Sequence, residues 1–135
     1  MVRVRVAPAI IGEHEPPSRT DGRGTFSLVT WNIRSGRNNG LESSLRAMAS
    51  MGVDIGFLQE TKLTAGIYTR QYDAYKVFAT QATSVRQGGV ALFWRENEFA
   101  EVEELKAYGS NVLSFQLQTG SDRYFVVGAY IPPSD

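Results

Sequence analysis

The chain has no cysteine and a single histidine, His14, among its 135 residues. The missing cysteines exclude a disulfide scaffold and any thiolate zinc site, and they fit an intracellular address, the nucleus included. Neither sign of charge is in excess, with 14 Lys+Arg against 14 Asp+Glu. That balance excludes a strongly basic nucleic-acid wrapper but allows an enzyme that grips a few phosphates through a local basic rim. No apolar run approaches the ~20 residues of a membrane span, so no membrane partner is expected. The opening residues, Met1-Val2-Arg3-Val4-Arg5-Val6, lack the continuous apolar stretch of a secretory signal. What is present is 42% hydrophobic and 21% charged, the balance of a globular domain with an ordinary core.

Residues 1–25 differ from the rest. Val2, Val4 and Val6 alternate with Arg3 and Arg5 at the period of a strand. Gly12, Pro16, Pro17, Gly22 and Gly24 then break any regular element. The expectation is a flexible N-terminal tail holding a short edge strand at most, with a solvated His14 that has no role. Residues 26–135 read as the globular part. Phe26 to Trp31 is a strand candidate, rich in β-branched and aromatic residues. The polar loop Arg34 to Asn39 follows. Asn39 is placed to cap a helix, with Glu42 three residues on. Leu41, Leu45 and Met48 recur at helical spacing, and Gly52 marks the stop. Val53 to Leu58 then reads as a buried strand.

A crossover of this length predicts two parallel, right-handed strands. Their carboxyl ends share one rim, where open α/β sheets bind ligands. Asn32 closes the first strand and Glu60 the second. One carboxylate and one amide oxygen suit a hard cation such as Mg²⁺, which keeps several waters. A cap or a surface salt bridge would use the same residues. Further on, Tyr75–Phe78, Val90–Trp94 after Gly88-Gly89, and a hairpin of Val112–Leu117 with Tyr124–Tyr130 are predicted, closed by Pro132-Pro133. Glu96, Glu98, Glu101, Glu103 and Glu104 read as a solvated connector or edge strand rather than a metal cluster. Phe26, Leu28, Phe57, Phe93, Phe115, Phe125 and Val127 are candidates for the interior.

Four segments occur in order: Thr30-Trp31-Asn32-Ile33, Leu58-Gln59-Glu60-Thr61-Lys62-Leu63, Gly88-Gly89-Val90-Ala91-Leu92 and Tyr130-Ile131-Pro132-Pro133. Together they resemble the endonuclease/exonuclease/phosphatase superfamily. Within it they look most like the endonuclease domain of non-LTR (LINE-type) retrotransposons, which is similar to apurinic endonucleases. The resemblance implies an α/β fold, the N-terminal half of a four-layer DNase I-like sandwich with a mixed sheet and a flanking helix. It implies Mg²⁺ or Mn²⁺ as cofactor and DNA as substrate. Glu60 matches the carboxylate that holds the metal, Asn32 the asparagine beside it, and Tyr130 the tyrosine near the scissile phosphate; Tyr130 packing on proline is the plainer alternative. Arg34, Arg37, Asn38, Asn39 and Lys62 are the candidate phosphate contacts. Trp31 is expected in the core.

The family's Gly-Asp-x-Asn and Ser-Asp-His motifs do not occur. The expectation is therefore a truncated, inactive half whose bare apolar face needs a missing C-terminal half or self-association. Two alternatives stand beside it: a phosphatase of small phosphoesters or inositol lipids, and a non-catalytic remnant that binds metal or a partner.

Overall fold

A computed structural model describes residues 1–6, 26–95 and 100–133. His14, the glycines and prolines around it, Glu96 and Glu98 lie outside the described residues. Among the described residues, nine strands and one helix follow in chain order: β1 (Val2–Val6), β2 (Phe26–Asn32), α1 (Gly40–Ser50), β3 (Ile55–Gln59), β4 (Ile67–Tyr72), β5 (Tyr75–Ala79), β6 (Val90–Trp94), β7 (Glu101–Ala107), β8 (Val112–Thr119) and β9 (Asp122–Ala129). Six of them form a mixed sheet in the order β1-β2-β3-β6-β5-β4, and three form the meander β7-β8-β9.

The β2–α1–β3 unit is parallel as predicted, with Leu28 opposite Ile55 and Asn32 opposite Gln59. Every other pairing in both sheets is antiparallel. The short edge strand read from the alternation of residues 2–6 is present: it pairs antiparallel along β2, with Val2 opposite Thr30 and Val6 opposite Phe26. The helix start corrects the sequence reading. Asn39 does precede α1, but at φ 66° and without a side-chain cap bond. A side-chain cap needs an extended backbone to aim at the first turn. The loop carbonyls act instead: Gly36 O accepts from Leu41 N and Arg37 O from Gly40 N. The other end behaves as expected. Gly52 takes φ +67°, its N–H donates to Ala49 O, and Val53 N–H donates to Met48 O, which satisfies two of the helix's last carbonyls.

Two cores lie on opposite faces of the six-stranded sheet. Leu41, Leu45 and Met48 of the helix pack on Val29, Leu58, Val77 and Phe93, with Trp31 half-buried at the margin. On the other face Ile55, Val90, Leu92 and Trp94 meet Leu113, Phe115 and Leu117 of the meander. All five residues of β6 are buried, as expected for a strand covered on both faces. Phe93 is fully buried and meets Tyr75 edge-to-face at 5.1 Å; truncating such a ring costs about 3–5 kcal/mol. The layers are thus helix, mixed sheet and second sheet. Leu28, Phe57, Phe93 and Phe115 are at least partly interior as expected. Phe125 and Val127 are not: they are 70% and 56% exposed, on the outer face of β9.

Candidate functional site

The register sets the rim. Asn32 ends β2 opposite Gln59, so Glu60 is the next residue along the neighbouring strand. Gln59 pairs with Val90 across the β3–β6 ladder, which brings Gly88-Gly89 to the same edge. Thr61 ties this edge together. It is buried; its N–H donates to Gly89 O at 3.1 Å, and its carbonyl accepts from Gly36 N at 2.7 Å. Lys62 N–H donates to Gly88 O at 2.9 Å. Gly89 sits at φ +90°, and a Cβ there would lie 2.3 Å from Thr61 Oγ1, so both conformation and space require glycine.

The second sheet joins through residues that sequence reading missed. Thr80 Oγ1 donates to Ser110 O at 2.6 Å and accepts from Val90 N at 3.0 Å. Asn111 Oδ1 accepts from Gly89 N at 3.2 Å, while its backbone oxygen accepts from Tyr130 N at 2.9 Å. Asn111 thereby anchors Tyr130 to the first sheet's rim. Its one sequence signal is a place in the turn Gly109-Ser110-Asn111, which any surface turn would share.

The Tyr130 hydroxyl donates to Glu60 Oε1. This bond, with burial and the Glu60 charge behind it, pushes the Tyr130 pKa up to about 12. Asn32 Oδ1 accepts from Arg34 N at 3.0 Å, a local turn that fixes the amide. Arg34, Glu60 and Lys62 all hold positive φ, at 64°, 56° and 55°. Side chains with a Cβ resist that conformation by about 1–3 kcal/mol each, and such strain gathers at functional sites.

Of the other predicted residues, Arg37 and Lys62 line one cleft of about 330 Å³ together with Glu42 and Arg70. Arg34 is exposed beside the rim, and the exposed Asn38 does not line that cleft. The described part of the acidic run does not converge on one point. Glu101, Glu103 and Glu104 lie on β7, and Glu104 accepts from Gln116 Nε2 at 2.9 Å.

Among the described residues no three His, Cys, Asp or Glu side chains gather around one point. Asn32 and Glu60 stand at neighbouring strand ends, with Asn32 Oδ1 accepting from Arg34 N and Glu60 Oε1 from Tyr130. One carboxylate and one amide oxygen are donor types that a Mg²⁺-like cation takes, alongside its own waters, and not the nitrogen or sulfur ligands that zinc wants. No described helix is long and apolar enough to cross a membrane. No protein-family model matches the chain, and no curated protein matches it in sequence.

Proposed function

We propose that residues 26–135 are the N-terminal half of an endonuclease/exonuclease/phosphatase-type domain, a four-layer α/β sandwich whose whole form hydrolyses phosphodiesters in DNA with Mg²⁺ or Mn²⁺. The observation that carries this reading is the Tyr130–Glu60 hydrogen bond on the rim that Asn32 shares. Glu60 and Asn32 would hold the cation. Once bound, it would neutralise charge developing on the phosphate oxygens. Tyr130, with its pKa near 12 while it donates to Glu60, keeps its one hydroxyl proton at neutral pH and is not a base. It would donate that proton to a phosphate oxygen only in exchange for Glu60, when the carboxylate turns to the cation.

The same set lacks a group to take a proton from the attacking water, since Glu60 is committed to the cation. The chain by itself is accordingly the metal-holding part, without turnover. One observation favours a second reading, a non-catalytic metal- or partner-binding remnant: no group of three His, Cys, Asp or Glu side chains forms around Glu60 among the described residues. The uncovered groove of about 480 Å³ between Val2, Leu28 and Phe57 on one side and Val126 and Tyr130 on the other is where further chain or a second copy would pack.

Titration with Mn²⁺, followed by paramagnetic broadening, tests the site. Signals near Asn32, Glu60 and Tyr130 should broaden first, and Glu60→Ala should abolish the effect while Glu103→Ala leaves it. Broadening centred on Glu101 to Glu104 would overturn the assignment.

A further inference from the structure

Beyond the rim, the edge strand β4 carries a pattern that sequence reading left unassigned. Tyr68 is 91% exposed, an unusual place for a large ring. Its ring is backed edge-on by the half-buried Phe78, with centroids 6.2 Å apart and planes at 69°. Tyr68 and Phe78 line a groove of about 490 Å³. On the other side of the same strand lies the cleft of Arg37, Lys62 and Arg70, in which Glu42 is the one acidic residue. Arg70 is held ready: its Nη1 donates to Tyr72 Oη at 3.2 Å, and its guanidinium stands 6.0 Å from the Tyr72 ring centre. Ala65, Gly66 and Ile67 border both clefts, so the two lie side by side along the start of this strand.

We propose that these two clefts form one track for a single-stranded stretch of polynucleotide, with backbone phosphates on Arg37, Lys62 and Arg70 and an unpaired base stacked on Tyr68. The proposal rests on the phosphodiester reading for its substrate class. Three cations in a chain of zero net charge make a local anion site, and a stacking ring next to such a site is how single strands are held. A small phosphoester would fill the basic cleft and leave Tyr68 unused. A fully paired duplex offers no free base face to the ring.

The test is fluorescence anisotropy in EDTA, with a labelled oligothymidylate about 12 nucleotides long, an abasic strand of the same length and a blunt duplex. The thymidylate should bind at least about fivefold more tightly than the abasic strand, the gain of one stacked base. Tyr68→Ala should erase that preference and keep the salt dependence, while Tyr68→Phe should retain both. Arg70→Gln should flatten the slope of log affinity against log salt by about 0.7 and keep the preference. Equal binding of thymidylate and abasic strand by the wild type, a preference that survives Tyr68→Ala, or tighter binding of the duplex would each overturn the proposal. No metal and no hydrolysis enter this assay. Its failure therefore leaves the Glu60 reading standing, and a failed Mn²⁺ titration leaves this track standing.

Discussion

Tyr130 and Glu60, 70 residues apart, are joined by a hydrogen bond in which the phenol hydroxyl donates to the carboxylate. The bond links the end of the three-stranded sheet to the rim of the six-stranded one. It should be visible in a titration. Tyr130 is expected to ionise near pH 12 instead of its usual 10.0, first because of this bond, then through burial and the Glu60 charge. A folded-state pKa above the unfolded one means the bond's stabilisation is complete below pH 10 and is lost as pH rises through about 12. The difference in phenolate absorbance between wild type and Tyr130→Phe isolates this group among the six tyrosines. In Glu60→Ala the same difference should move back towards 10.

Backbone strain at Glu60 makes a second prediction. Its φ of 56° is disfavoured for any residue with a Cβ and free for glycine. Glu60→Gly and Glu60→Ala both remove the carboxylate, yet the glycine variant should be the more stable by about 1 kcal/mol. At an ordinary strand position alanine leads by about 0.5–1 kcal/mol instead. Urea denaturation of the two variants decides the sign, and a more stable alanine variant would show that no strain is stored there.

Hydrolysis needs a base or orienting group as well as a cation. The purified chain should therefore give no plasmid nicking above background with Mg²⁺ in excess, and no phosphate release from small phosphoesters. Robust nicking that disappears in Glu60→Ala would show that a water-activating group operates outside the set Asn32, Glu60 and Tyr130.

The outer face of β9 should make the chain self-associate. Phe125 and Val127 of β9, and Ile131 just past its end, are 70%, 56% and 87% exposed, and among the described residues β9 pairs with β8 alone. Burying one such phenylalanine stabilises an association by about 1.5–3 kcal/mol. Phe125→Lys, a charge of the sort that guards sheet edges, should therefore weaken self-association about tenfold or more. Light scattering with size exclusion measures the mass, and a wild type that stays monomeric and binds no apolar dye would refute this expectation.

How much of this was legible in the sequence depends on the range over which each feature is decided. The β2–α1–β3 unit, the β6 run and the β8–β9 hairpin show in the sequence because periodicity, helix stop and turn chemistry act within a few residues of one another. The parallel pairing follows from the crossover, and with it the neighbouring strand ends of Asn32 and Glu60. The strand Ile67–Tyr72 was not legible: its pattern is mostly exposed, it has no alternation, and its ladder to β5 carries a register shift. Alternation along a strand identifies two faces without saying which one is covered, so the sequence alone does not decide whether Phe125 and Val127 point inward. Here Tyr124 and Val126 face the core.

The meeting of Tyr130 with Glu60, and the part of Asn111 in holding it, were decided by tertiary structure alone. They depend on how two sheets stack, through Leu92 and Trp94 against Leu113 and Phe115. Local sequence determined which polar residues end strands. The packing of one sheet on the other determined which of those ends meet, because apolar burial between sheets is non-directional and only the fitted side chains set the final position.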